Sequence, residues 1–364
     1  MVEWKKLGEV CSFNRGGTIT AKDAVEGEVP VIAGGQTPSY FHNESNRTGE
    51  TITIAGSGAY AGFVSYWNQP IFVSDAFTVD PSETLKHKYL FHWLKMKQKR
   101  IYETQKGAGV PHVHGKDIAG LTIPIPSLSE QQRIVETLDT FTASIDNLKE
   151  QIAQRRKQFE YYRDQLLDLE GKEKDVVPFG DVCVMIKGNG VQKVDFVENG
   201  IGCIHYGQIY TYYGSYTYTT NKFVSKETFE KAKKASKGDI VMTDTSENVE
   251  DICKSVAYLG DDDIAVSNHA LIIKHKQNPR FLSYSTQTNS FLIQKRKFVF
   301  GAKVSGIKPA HLAQIKIYLP NIEEQQRIVS ILDSFEASIA NLEEQLAQRQ
   351  KQYEYYRNQL LTFE

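Results

Sequence analysis

Only four cysteines occur in 364 residues, and none forms a Cys-x-x-Cys pair, so Cys11, Cys183, Cys203 and Cys253 suit neither a zinc site nor a disulfide framework. No apolar run approaches the roughly 18 residues of a membrane span. No positive stretch followed by an apolar one opens the chain. Net charge is nearly absent: 43 Lys and Arg against 44 Asp and Glu leave −1 at neutral pH. Any basic face for nucleic acid must therefore be local. These absences fit a cytoplasmic protein with no membrane partner.

Catalytic signatures are missing as well. There is no Gly-x-x-x-x-Gly-Lys-Ser/Thr loop to cradle phosphates and no Gly-rich turn of the dinucleotide type. Asn278-Pro279-Arg280 departs after two residues from the Asn-Pro-Pro-aromatic motif of amino-methyltransferases. Glu170-Gly171-Lys172, behind Asp164 and Asp168, faintly matches a nuclease Asp…Glu-x-Lys, but it lies at a helix end, where charges are common. His112-Val113-His114 sets two imidazoles on one strand face with no third ligand tied to them by spacing, so a polar loop is the simpler reading. No Ser/His/Asp arrangement is identifiable. The expectation is a chain with no catalytic residues, no metal and no cofactor of its own.

What the chain does contain is a repeat. The stretch from Glu130 to Glu170 returns from Glu324 to Glu364, with 29 of 41 positions identical. Apolar residues step by 4, 3, 4, 3, the heptad period of a coiled coil. The seam is Ile134, Leu138, Phe141, Ile145, Leu148 and Ile152 in the first copy. In the second it is Ile328, Leu332, Phe335, Ile339, Leu342 and Leu346. Each copy is read as one helix of about 60 Å. Pro126 and Pro320 precede the starts, and capping boxes pair Ser127 with Glu130 and Asn321 with Glu324. Gly171 is the expected stop of the first. Arg155 and Arg349 break the seam at matching places. A parallel in-register pair would stack these arginines on each other. An antiparallel pair staggers them toward polar residues such as Glu336, Glu343 and Glu344, and is preferred. The alternative is that each stripe packs on its own globular domain.

The repeat extends upstream. Leu7-Gly8-Glu9-Val10-Cys11 matches Phe179-Gly180-Asp181-Val182-Cys183. Gly107-Ala108-Gly109-Val110 matches Gly301-Ala302-Lys303-Val304, and Ile118 to Pro126 matches Leu312 to Pro320. The halves share their edges and diverge in the middle. Residues 1–126 and 178–320 are thus two globular domains, 127–170 and 321–364 two long helices, and 171–177 a charged linker. Short β-rich runs at 29–32, 51–55, 72–74, 238–243 and 270–273 and helical stretches at 85–102 and 279–294 make each domain α+β.

Binding features lie in these domains. Gly202 to Thr220 holds Tyr206, Tyr210, Tyr212, Tyr213, Tyr216 and Tyr218 without a charge. It reads as a strand with one aromatic face, or as a recognition loop in which Tyr and Gln stack on bases and hydrogen-bond their edges. Lys187 to Lys193 is a basic, Gly-rich loop suited to phosphate, and Asn14 to Thr18 occupies the same place in the first half. Lys86 to Arg100 carries six basic residues, a solvated helix face by default and a phosphate contact second.

Ile123-Pro124-Ile125-Pro126 and Ile317-Tyr318-Leu319-Pro320 each run into Glu-Gln-Gln-Arg-Ile and a long helix. With the Leu-Gly-Glu-Val and Phe-Gly-Asp-Val openings, this chain resembles the DNA-specificity subunit of type I restriction–modification systems over nearly its full length. Ser57 to Gly62 with Val73 to Ala76, and Thr243 to Ser246 with Val266 to His269, look like that family's recognition landmarks. The resemblance implies two target recognition domains in pseudo-two-fold repeat, joined by an antiparallel coiled coil that fixes the gap of a bipartite target in double-stranded DNA. It implies two methyltransferase subunits as partners, and restriction and translocase subunits in the full complex. S-adenosylmethionine, ATP and Mg are expected on those partners. Expected base or phosphate contacts are Arg15, Gln36, Ser57, Tyr60, Lys106 and His112 in the first domain. In the second they are Lys187, Asn189, Gln192, Lys193, Tyr206, Gln208, Tyr210, Thr245 and Lys303. The rival expectation is an interaction scaffold whose domains bind something other than DNA.

Overall fold

A computed structural model describes residues 2–301 and 305–363. The chain forms two compact units, one of residues 1–150 with 342–364, the other of residues 151–341. Each unit holds one variable domain and a segment of both long helices.

In the first unit, strand Glu3–Lys6 pairs antiparallel with Thr122–Ile125, which closes the domain where its helix leaves. An antiparallel sheet runs in the order Cys11–Arg15, Ala76–Pro81, Glu50–Ala55, Val64–Asn68. Its inner strand alternates Thr and Ile, the β-branched pattern that suits a pleated, packed surface. Ile52 and Ile54 enter the core with Val64, Phe77 and Val79. Helix His87–Met96 joins that core through Tyr89, Leu90, Trp93 and Leu94. A second sheet orders Tyr40–His42, Val29–Ile32 and Phe72–Val73.

The second unit repeats this plan. Val176–Pro178, which takes in the end of the 171–177 stretch read as a linker, is a strand paired with Lys316–Tyr318. The main sheet orders Cys183–Lys187, Ala270–His275, Ile240–Thr243, Ser255–Tyr258, the same sequence of strands as in the first domain. The second sheet again places Ile201–Ile204 between Lys222–Val224 and Ile264–Val266. The middles that share no legible sequence therefore share their strands. The longer second domain adds Phe196–Val197, Tyr216–Thr217 and Lys233–Ala235 at sheet edges, and helices Tyr206–Thr211 and Lys226–Lys231. The tyrosine-rich stretch is thus neither one strand nor one loop. His205 caps a short helix through Gly207 N–H (3.2 Å), and a strand follows.

The long helices are Leu128–Leu167 and Ile322–Leu361. Ser127 Oγ and Asn321 Oδ1 accept the backbone N–H of Glu130 (3.3 Å) and Glu324 (2.9 Å). The two glutamates turn to Arg133 and Arg327 rather than back to the cap. The first helix ends four residues before Gly171, whose φ is +73°. Lys172 Nζ reaches back to the last-turn carbonyls of Leu166 (2.8 Å) and Gln165 (3.3 Å), so the apparent nuclease lysine is a helix cap.

Each helix is fastened to its own domain by a buried glutamine. Gln131 accepts Lys86 N–H (2.9 Å) and donates to the carbonyls of Thr84 (2.9 Å) and Pro126 (3.0 Å). Gln325 accepts Asn278 N–H (3.0 Å) and donates to Pro320 O (2.8 Å) and Gln277 Oε1 (3.0 Å). One turn or two later an aspartate repeats the link. Asp139 takes Lys88 (2.5 Å) and His92 (3.0 Å). Asp333 takes Arg280 and the Tyr284 hydroxyl (2.8 Å). Burial raises the Asp139 carboxyl, but hydrogen bonds from His92 and Lys88 outweigh it and hold the group below the usual range. The Tyr284 hydroxyl also lies 2.9 Å from Glu336, whose carboxyl burial pushes upward.

Within each unit the two helix segments run antiparallel, as expected. Leu138 shares the first core with Leu361, and further along Phe141 stacks on Tyr356 at 5.2 Å. In the second unit Tyr162 stacks on Phe335 at 5.4 Å, and Leu167 shares a core with Ile328 and Leu332. All seam positions are buried or half-buried. The first turns, Ile134 to Leu138 and Ile328 to Leu332, also enter the globular cores, so the stripe packs on its own domain before it packs on the other helix. The seam arginines meet rings: Arg155 lies over Phe335 and Arg349 over Phe141, each at 5.7 Å. Glu336 faces Ser215 and Tyr284 instead.

Candidate nucleic-acid interface

Three strand ends meet at one edge of the first main sheet. Arg15 lies opposite Phe77, and Ala55 opposite Ala76, so Arg15, Gly56 and Asp75 emerge together. Gly16 donates to Ala76 O (3.0 Å) and Gly56 to Asp75 O (3.1 Å). Gly16 is required here, because a Cβ would sit 2.2 Å from the Ser74 carbonyl. Lys106 and His112 exchange both backbone hydrogen bonds (3.0 and 2.8 Å), and His112 also bridges to Ser57. The result is an open cavity of about 440 Å³ lined by Arg15 to Ile19, Gly56, Ser74 to Phe77 and His112 to His114.

Arg15 and His112 line this cavity, and Ser57, whose Oγ donates to Asp75, adjoins it. Gln36 is exposed on a loop that approaches Ser57 at Gly34, and Tyr60 is exposed on the turn that follows Ser57. Lys106 sends its ammonium to Asp117, and that hydrogen bond holds the Asp117 carboxyl below its usual range. The rings of His112 and His114 lie nearly parallel at 6.3 Å, and Val113 between them is buried. Among the described residues no cluster of three His, Cys, Asp or Glu side chains is placed to hold a metal ion.

The second domain reproduces the frame bond for bond. Gly188 donates to Ala270 O (2.9 Å), Asp244 to His269 O (3.2 Å), and Phe300 and Gly306 exchange hydrogen bonds (3.1 and 2.8 Å). Val113 N–H reaches Gly56 O in the first domain, and Ile307 N–H reaches Asp244 O in the second, both at 3.0 Å. Arg15, Gly56, Ser57, Asp75 and His112 thus correspond to Lys187, Asp244, Thr245, His269 and Gly306. The backbone is shared and nearly every side chain differs.

Asp244 is buried at this edge. Its Oδ2 lies 3.2 Å from Lys187 Nζ, while its Oδ1 has no hydrogen-bond partner among the described residues and lies 4.0 Å from His269 Nδ1. Tyr206 sets its ring edge-to-face against His269 at 5.4 Å. Tyr210 donates its hydroxyl to the Thr245 carbonyl, and burial raises that hydroxyl above its usual range. Tyr206, Tyr210, Thr245 and His269, with Ser246, Glu247, Asn248 and Asp251, line a cleft of about 490 Å³.

The other expected contacts divide. Gln192 and Lys193 are exposed where the glycine loop enters the short helix Lys193–Asp195. Asn189 Oδ1 accepts Lys233 N–H (2.9 Å). Gln208 spends both ends of its amide inside the domain, accepting from His205 N–H (2.9 Å) and donating to Asn221 (2.5 Å). Lys303 lies outside the described residues. On the helix after Lys86, Lys88 is held by Asp139, and Lys95 and Lys97 lie over the rings of Phe63 and Trp93. Sequence reasoning did not single out Asp75, Asp244 and His269, although all three sit in the recognition landmarks. Their cue was position: each directly follows or precedes a buried strand.

Comparison with known proteins places these features. The family described as the type I restriction modification DNA specificity domain matches residues 1–155 and again 171–349. A putative type I restriction enzyme specificity subunit of Haemophilus influenzae is 28% identical, covering 100% of this chain and 96% of its own. The EcoR124I/EcoR124II specificity subunit of Escherichia coli is also 28% identical, covering 100% and 94%. The crystal structure of the S subunit from M. genitalium superposes with a TM-score of 0.62 at 16% identity, over 100% of this chain and 97% of that one. It supports the fold.

Proposed function

This chain belongs to the type I restriction–modification DNA specificity family, and from that premise we propose that it is the subunit that reads a bipartite DNA target for its partner enzymes. The observation that carries the reading is one backbone frame used twice with different side chains. Two such frames read two different half-sites. Arg15 with His112 and Lys187 with His269 offer N–H donors, and Tyr206 and Tyr210 offer ring faces. The two long helices set the gap between half-sites. Methyl transfer, restriction and ATP-driven translocation belong to the partners, together with S-adenosylmethionine, ATP and Mg. Near-neutral charge is compatible with this role when partner subunits add phosphate contacts around the duplex.

The test is co-expression with the matching methyltransferase subunit, followed by single-molecule sequencing of the host DNA for methylated bases. The expected result is one bipartite motif with a constant gap. A stable complex that marks no such motif removes the reading, and no complex at all favours a scaffold.

The helices support a two-copy partner. Tyr161 and Tyr355 occupy the same place in the repeat and are 59% and 61% exposed, each edge-on to a tyrosine already stacked in the seam. Solvent-facing aromatics on a rigid surface are frequent interface anchors. Tyr161→Ala should release one methyltransferase subunit and Tyr161→Ala with Tyr355→Ala both, read as complex mass by light scattering. Full two-copy assembly by the double variant would place the docking surface elsewhere.

A further inference from the structure

We propose that Asp244 is a positioning residue of the second domain, holding Lys187 and His269 so that both present N–H donors to one base edge, that of a guanine in the major groove. The proposal rests on the DNA-reading assignment above and gives it a specific contact.

Asp244 is 4% exposed, yet its Oδ1 has no partner among the described residues. An unsatisfied buried carboxylate oxygen is costly and calls for a reason. His269 Nδ1 lies 4.0 Å from it, close enough that a small ring shift completes the bond. His269 has φ +62°, a conformation few side chains adopt, and Tyr206 braces its ring. The other oxygen, Oδ2, lies 3.2 Å from the Lys187 ammonium. The Lys187 and His269 side chains are 64% and 54% exposed, so the donors face solvent while the acid that aligns them does not.

The first domain treats the same positions differently. Its acid is Asp75, on the neighbouring strand end, bonded to Ser57, and Gly56 stands where Asp244 would be. A shared frame whose acid changes strands between domains marks a recognition position rather than a folding requirement.

The electrostatics favour a base over a phosphate. One ammonium and one carboxylate cancel, and an arriving phosphate would meet the carboxylate as well as the lysine. A neutral acceptor edge meets no such repulsion. Guanine presents N7 and O6 side by side as acceptors, whereas adenine replaces one by an amino donor. The buried Oδ1 is closed to solvent and is not available to accept from that amino group.

The experiment uses the full chain complexed with its methyltransferase subunit and a DNA library randomised over both half-sites and the gap. Asp244→Asn, Lys187→Gln and His269→Asn are compared with Lys193→Ala on the adjacent exposed loop. Asn tolerates the left-handed backbone at 269, and the two exposed variants decide the question even if Asp244→Asn fails to fold. The expected result is loss of guanine preference at one and the same position of the second half-site, about 10-fold or more. The first half-site and the salt dependence of binding stay as in the wild type. Lys193→Ala should do the reverse, keeping the base profile and lowering the salt slope by about one. An unchanged base profile in the three variants, or a lowered salt slope in place of lost preference, overturns the proposal. A wild-type complex that selects no half-site at all overturns the DNA-reading assignment itself, a different failure from a wild-type profile that the variants leave unmoved.

Discussion

Excising one heptad from the middle of each long helix shortens the preferred gap between half-sites by about three base pairs and leaves both half-site sequences unchanged. Seven residues remove about 10 Å of helix at 1.5 Å per residue, and duplex DNA advances about 3.4 Å per base pair. A heptad is the step to remove because it keeps the seam in phase, turning the helix by only about 20°. Excising three or four residues from one helix alone would rotate the apolar stripe out of the seam and lose the fold. The DNA does not keep phase so well, since three base pairs turn the duplex by more than a quarter of its roughly 10.5-base-pair period. That mismatch is met by twisting or bending, at a cost of the order of a few kcal/mol. Methylation at the original gap should therefore fall by at least about 100-fold, and the new optimum should be weaker than the old one. Sequencing of methylated DNA from cells carrying the shortened chain checks both. Changed half-sites at an unchanged gap would show that the helices do not act as the ruler.

The parts legible in the sequence were those where chemistry is local. The helix starts at Ser127 and Asn321 were visible because a cap needs a short polar side chain at one position. The seam was visible because its period recurs over 40 residues. The middle of each domain was not. A buried strand needs only apolar or β-branched residues of fitting size, so Thr53 to Ala55 and Val241 to Thr243 fill the same place with no residue in common. The tyrosine stretch misled because its helix is specified by His205 and Gln208, polar residues whose partners lie within one turn or on distant Asn221. The candidate site shows the same limit. Arg15 and Lys187 were legible as basic residues of Gly-rich loops, but the approach of Asp244 to His269 joins chain segments 25 residues apart.

The second large effect concerns Gln131. Gln131→Leu keeps the volume of the side chain but strips an acceptor from the Lys86 N–H and donors from two carbonyls, one of them fully buried with Pro126. Each buried group left unpaired costs about 1–3 kcal/mol, and the Thr84 carbonyl at the exposed rim recovers most of its share from water. The expected loss is about 2–4 kcal/mol, and at about 2–4 °C per kcal/mol for a unit of this size the midpoint falls by roughly 4–15 °C. Gln131→Glu should be worse than Gln131→Leu. It retains the acceptor for Lys86 but faces both carbonyls with a buried negative charge. Gln325→Leu should produce the same loss in the other unit, because its amide serves Asn278, Gln277 and Pro320 in the same way. Calorimetry of the full chain separates the cases, since each single variant shifts the transition of one unit and the double variant shifts both. If Gln131→Leu melts within about 1 °C of the wild type, the Glu-Gln-Gln-Arg motif is not the fastening between domain and helix. The repeated identity of that motif would then require a partner that touches it from outside.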